Sequence, residues 1–222
     1  WHVNGSKVGT NSPTYTSSTL TNGQIVTCVL TSNAACPSPS ATVTSNAITM
    51  TVNPVVVPSV TIVASPSGAI CAGTSVTFTA TPTNGGTTPT YQWQVNGLNV
   101  GTGGTTYTST TLANGNIVTC IMTSNAACPS TATATSNAIT MTVNAVVAPA
   151  VSVVASPSGP ICAGTSVLFT ATPTNGGTTP TYQWQVNGVN VGTGGTTYTT
   201  TTLANGDIVT CILTSNATCA SP

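Results

Sequence analysis

The eight residues TYQWQVNG at 90–97 return letter for letter at 181–188, and the chain opens on WHVNG, the tail of a third copy. Cys71 recurs as Cys162 and Cys120 as Cys211, which sets a period of 91 residues. One extra residue lengthens the first copy just after Cys36, where PSPSATVTSN stands against PSTATATSN. A chain that repeats itself this closely folds as an array of like modules, because each copy carries the same local instructions. A unit of about 90 residues is too long for a solenoid turn and suits a small all-β domain. The 222 residues divide into a partial unit at 1–53 lacking its first strands, a complete unit at 54–145, and a partial unit at 146–222 lacking its last strand. The expectation is a window onto a longer array, so a secretory signal is not looked for at Trp1. The longest apolar stretch, VVVPSVTIVAS, is short and broken by Pro58, which excludes it as a membrane-spanning helix.

The middle unit alternates with a period of two wherever it is apolar. SVTFTATP sets Val76, Phe78 and Ala80 on one face and Thr77, Thr79 and Thr81 on the other, the pattern of a half-buried strand. TYQWQVNG sets Tyr91, Trp93 and Val95 together and ends in Asn96-Gly97, the signal for a two-residue hairpin into LNV. NIVTCIMTS aligns Val118, Cys120 and Met122, and ATSNAITMTV aligns Ile139, Met141 and Val143. No segment carries helical spacing. Seven or so short strands in one unit predict an all-β, two-sheet antiparallel sandwich. Trp93 and Trp184, with Phe78 and Phe169 in neighbouring strands, are the expected core pins.

These residues resemble an immunoglobulin-like domain. Ala80, Trp93 and Cys120 stand where that family carries its first core cysteine, its strand C tryptophan and its second core cysteine, and LANGNIVTC resembles the approach to strand F. Ala80 and Val118 depart from the pattern, so the family's inter-sheet disulfide and tyrosine corner are absent. The whole repeat, with ICAGTSVTFTATPTNGG and TSNAITMTV, is similar to the tandem immunoglobulin-like or PKD-like repeats of giant surface adhesins in gliding and environmental Bacteroidota. That resemblance implies sandwich domains strung as beads in a rod or filament on the cell surface.

Charge narrows function by exclusion. The chain holds one Lys or Arg, one Asp or Glu and one His, against roughly a quarter charged residues in ordinary domains. There is no basic stripe for nucleic acid or anionic lipid, so neither is an expected partner. His2, Lys7 and Asp207 are the only candidates for acid-base work, and the repeats do not reproduce them: Asp207 corresponds to Asn116 and Gln24. No enzyme activity and no cofactor are expected. A calcium site gathers several carboxylate oxygens, and a single carboxylate side chain cannot supply them. Gly103-Gly104 and Gly194-Gly195 lack the Lys and helix of a phosphate cradle and are read as loops.

Cysteine is the chemically distinctive residue: Cys71, Cys120 and Cys128 in the complete unit, Cys28 and Cys36 before it, Cys162, Cys211 and Cys219 after it. Metal binding would require tighter clustering or nearby His. If Cys120 packs as a reduced core thiol against Ala80, Cys71 and Cys128 remain to pair within a domain or across a junction; the rival is Cys120 with Cys128. Spacing leaves both open. Either disulfide implies an extracellular setting.

Three functions fit. In the first, the chain is a structural segment of an extracellular stalk, partnered by its neighbouring repeats and free of the charge barrier to lateral self-association into fibres. Its junctions NPVVVP at 53–58 and NAVVAP at 144–149 are short, apolar and proline-bearing, which restricts bending. In the second, the repeats bind a glycan or a surface, with Tyr107 and Tyr198 as the stacking rings. In the third, Thr arrays such as TYTTTT match an ice lattice. Loops such as TPTNGGTTPT, rich in Gly and Thr, are expected to be the mobile, protease-sensitive points.

Overall fold

The structure, a computed structural model, describes residues 1–37, 41–101, 103–192 and 194–221. The stretch after Cys36 that carries the extra residue falls partly outside them. All regular structure among the described residues is β. By internal contacts the chain divides into two compact units. The first comprises Trp1–Ser59, Thr83–Pro89 and Thr123–Ala134, and the second Val60–Pro82, Thr90–Met122 and Thr135–Pro222.

In the second unit the middle repeat is a sandwich of the immunoglobulin-like kind. One sheet orders Thr106–Ser109, Val76–Thr83 and Ser59–Ser65. The other is built from Leu98–Val100, Thr90–Val95 and Ile117–Thr123, with Ile139–Thr140 on the far side of the last. Asn96 and Gly97 take φ of 51° and 78°, so the turn joining Thr90–Val95 to Leu98–Val100 is the tight hairpin that Asn-Gly favours. Ile70–Cys71 pairs in parallel with Val143–Asn144, a short seam between segments more than seventy residues apart. The sequence pattern set Val143 in one alternating stretch with Ile139 and Met141; the structure breaks that stretch, pairing Ile139–Thr140 with Ile117–Thr123 and Val143–Asn144 with Ile70–Cys71, a segment too short to announce a strand.

The alternating faces meet in one core. Val76, Phe78, Trp93, Val118, Cys120 and Met122 are each 0% exposed, and Ala80 and Met141 nearly so. Burying a side chain of this size contributes about 2 kcal/mol, which is how a chain with 1% charged residues holds together. The Trp93 indole donates to Gly104 O at 3.0 Å, which satisfies its one polar atom inside the core. The third repeat copies the plan. Ala150–Ser156, Val167–Thr174 and Thr197–Thr200 form one sheet, and Val189–Val191, Thr181–Val186 and Val209–Thr214 the other. Val167, Phe169, Ala171 and Trp184 form its core. Cys211 is half-buried where Cys120 is fully buried.

The first unit contains a four-stranded sheet ordered Ser6–Lys7, His2–Val3, Ile25–Thr27 and Ile48–Thr49. Its apolar side is unevenly covered: Val26 is buried, whereas its cross-strand partner Ile48 is exposed. The tips of the middle repeat group with this unit because residues before Ser59 dock on them. Val56 N donates to Cys128 O at 3.0 Å, and Ser130 N to Val56 O at 2.8 Å.

The glycine-rich tip is tied down, contrary to the mobility expected from its composition. Asn125 N donates to Gly85 O at 2.9 Å, its Oδ1 accepts from Thr88 N at 3.0 Å, and its Nδ2 donates to Thr88 Oγ1 at 2.8 Å. Asn216 repeats these bonds to Gly176 and Thr179.

Candidate functional site at the cysteine junction

Two cysteines of different repeats meet inside the second unit. Cys71 and Cys219, 148 residues apart in sequence, form a disulfide with a Cα–Cα separation of 5.4 Å. Cys71 closes the short strand Ile70–Cys71, which is pinned on both sides: Ile70 N donates to Thr142 O at 3.0 Å and Ala72 N to Asn144 O at 2.9 Å. Its carbonyl then accepts from Thr74 N at 3.0 Å, turning the chain through Gly73 at φ 86°. Cys219 sits in the turn after Val209–Thr214 with φ 64°.

The junction segment is anchored beside that turn. Val147 N donates to Cys219 O at 3.0 Å, Ser221 N donates back to Val147 O at 2.8 Å, and Asn175 Nδ2 donates to Ala148 O at 3.0 Å. The equivalent segment in the first unit makes the same set, with Asn84 Nδ2 donating to Val57 O at 3.0 Å. The apolar linkers NPVVVP and NAVVAP therefore lie against the repeat that follows them. Proline removes donors and narrows φ, and one amide in each linker, Val56 N or Val147 N, is held by the turn of the following repeat.

The other cysteines are not bonded. Cys120 is buried, Cys28, Cys128 and Cys211 are half-buried, and Cys36 and Cys162 are exposed. The rival pair Cys120–Cys128 does not form, nor does Cys71 pair with Cys128 of its own repeat. Burial pushes the Cys120 thiol up to about 11, against a weaker downward pull from the Gln92 backbone. Such a thiol stays protonated and inert at neutral pH. Burial also raises Cys211.

Asp207 is a turn residue. Its Oδ2 accepts from Ala204 N at 2.8 Å and its Oδ1 from Asn187 Nδ2 at 2.8 Å, and these two bonds hold its carboxyl below the usual value. Asn116 and Gln24 accept in the same way from Ala113 N and Thr21 N, at 2.8 and 2.9 Å. The position asks for a side-chain oxygen, which amide and carboxylate supply equally. Tyr107 and Tyr198, named as sugar-stacking rings, are half-buried in aromatic clusters. Tyr107 stacks on Phe78 and Trp93 with centroids 6.0 Å away in both cases, and Tyr198 on Phe169 and Trp184 at 6.2 and 5.9 Å.

No protein-family model and no curated protein matches the chain. Among solved structures it is similar to the crystal structure of the N-terminal eight Ig domains of Down Syndrome Cell Adhesion Molecule (DSCAM) isoform 1.30.30, at 11% identity and a TM-score of 0.40. That match covers 97% of this chain and 36% of the other, so the chain spans little more than a third of that structure. A superposition this loose adds nothing to the strand order described above.

Sequence reasoning missed the asparagines that tie the tips and junctions together: Asn84, Asn125 and Asn137, with Asn175 and Asn216 in the third repeat. Their recurrence at fixed places in TNGG and TSNA was the available signal. Asn is so common in turns that its long-range role is hidden.

Proposed function

We propose that this chain is a structural segment of a long extracellular stalk or filament on a cell surface, the shaft of an adhesin of the kind its repeats resemble in Bacteroidota. The observation that carries this reading is the Cys71–Cys219 bond, which joins two successive repeats. A disulfide of this kind persists in oxidising surroundings outside the cytosol. Placed between repeats, it restrains bending at the junction beyond what docking of Val147 and Ala148 achieves. The natural partners are neighbouring repeats of the same chain. With charged residues at 1% of the sequence, side-by-side packing of such shafts into fibres meets no electrostatic barrier.

The reading of the repeats as glycan binders loses support from the burial of Tyr107 and Tyr198 against their own tryptophans. A stacking platform requires an open ring face.

The test is antibody labelling of intact, unpermeabilised cells of the source organism, combined with thiol alkylation before lysis. Labelled surface filaments with Cys71 and Cys219 protected from alkylation support the proposal. Label seen only after permeabilisation, with both cysteines alkylated, overturns it.

A further inference from the structure

The Cys71–Cys219 bond closes a covalent loop that takes in residues 72–218. Trp93 and Trp184, the central side chains of both cores, lie inside it, as does the Cys120 thiol. A disulfide at Ala80 and Cys120, where the immunoglobulin-like pattern places one, would enclose only part of a single repeat. Outside the loop, the middle repeat contributes only the segment that leads from its linker through Ser59–Ser65 to Ile70–Cys71. That segment is fastened sideways to the enclosed residues. Ser59–Ser65 is the edge strand beside Val76–Thr83, and its Ile62 exchanges two hydrogen bonds with the Asn137 amide, at 2.8 and 3.1 Å. Ile70–Cys71 pairs with Val143–Asn144, and Ile70 N donates to Thr142 O at 3.0 Å.

We infer that the Cys71–Cys219 bond is a mechanical bypass: tension applied before Cys71 and beyond Cys219 crosses between repeats through the two sulfurs, and the backbone of residues 72–218 is left out of the load path. The bridge spans 5.4 Å between Cα atoms, whereas the backbone route between the same two atoms is a folded chain of 148 residues. The shorter covalent path becomes taut first. The segment at 59–71 is then held at both ends, and the middle repeat's core hangs from it by the bonds just described instead of being drawn out. Forced unfolding is governed by the unfolding rate, and a core outside the load path keeps its resting rate. At roughly 3.4 Å per extended residue, the loop holds back roughly 500 Å of chain. A shaft built this way resists lengthening without needing strong individual cores. An external dithiol that opens the bond leaves two protein thiols and becomes a disulfide itself, and both cores then join the load path. Length under tension therefore depends on the redox state of the surroundings. The inference rests on the stalk reading above, since a shaft anchored at one end and attached at the other is under tension.

The experiment holds the full chain by a peptide tag at each end between DNA handles in magnetic tweezers and raises the force until lengthening stops, with and without dithiothreitol. The expected result is a ceiling in the unreduced chain at about a third of the extension reached after reduction, because about a third of the 222 residues lies outside the loop. Cys71→Ser without reductant should extend as far as the reduced chain, about threefold beyond the unreduced wild type. Trp93→Ala should lower the force at which the reduced chain lengthens and leave the unreduced ceiling where it is. A covalent limit does not depend on fold, so a variant that fails to fold still reports it. An unreduced wild type that lengthens as far as the reduced one overturns the inference, as does a Cys71→Ser chain that keeps the short ceiling. Neither result bears on surface labelling of cells, and a chain found only inside cells would keep its ceiling in the tweezers, so the two readings fail separately.

Discussion

Asn137 holds Ile62 by a reciprocal pair of hydrogen bonds, its Oδ1 accepting from Ile62 N at 2.8 Å and its Nδ2 donating to Ile62 O at 3.1 Å. The primary amide imitates a strand's backbone edge and ties the first strand of the middle repeat to its last segment, 75 residues later. Asn137→Ala leaves both backbone groups partly buried without partners. It should cost about 2 kcal/mol in urea unfolding. A loss below about 0.5 kcal/mol would mean that water replaces the amide freely.

Trp93 combines full burial, a bond to Gly104 O and stacking on Tyr107. Trp93→Ala should destabilise the middle repeat by about 3 to 5 kcal/mol, and Trp93→Phe by clearly less, since the ring volume is largely kept. Equal losses in chemical denaturation would count against packing as the main contribution.

Cys71→Ser and Cys219→Ser each remove a link across 148 residues. The chain-entropy account puts the loss at about 5 kcal/mol for so long a loop. Each single variant, the double variant and the reduced wild type should unfold alike. If the double variant is much weaker than either single one, the two sulfurs act separately and the bond is not their shared role.

The dependence of stability on pH should be flat from about pH 4 to 8 and bend only at the extremes. Asp207 has a depressed carboxyl, so its contribution is present above the ordinary value of 3.8 and is lost as pH falls through the lower folded value. Cys120 is raised from 9.0 to about 11. Its contribution is present below 9 and is lost between about pH 9 and 11, because the unfolded thiol ionises first. Burial raises Tyr91 as well, which acts in the same alkaline direction. Thermal melts across pH 3 to 11 check this; Cys120→Ala should blunt the alkaline bend, and an unchanged bend would refute its assignment to Cys120.

Gly86 has φ +91°, and a Cβ there would lie 2.6 Å from Ala126 N and overlap the Asn125 side chain. Gly86→Ala should cost about 2 kcal/mol or more and open the tip to thermolysin. Gly97→Ala is the comparison: it has similar φ but open space around it, so it should cost less. Equal proteolysis rates would show that the Asn125 clasp is not what closes the tip.

The amino-acid order alone carried everything set by neighbours along the chain. Alternation marked Val76, Phe78 and Ala80 as one face, and those are the buried residues. Asn96-Gly97 announced its hairpin, and the 91-residue period announced a shared plan. Such signals are legible because side-chain direction in a strand and φ in a turn depend on a few adjacent residues. What tertiary structure decided was partnership. Three cysteines per repeat allow several pairings, and only the approach of Cys219 to Cys71 across repeats selects one. Asn137 and Asn125 look like ordinary turn residues until Ile62 and Gly85 are brought beside them. The parallel seam of Ile70–Cys71 on Val143–Asn144 likewise depends on both segments being carried to the same edge by the sheets. Tyr107, read in sequence as an available ring, is claimed by Phe78 and Trp93 because the strand Thr106–Ser109 pairs alongside Val76–Thr83. Contacts between residues tens of positions apart depend on how whole sheets pack, and no local pattern encodes which surface a side chain will meet.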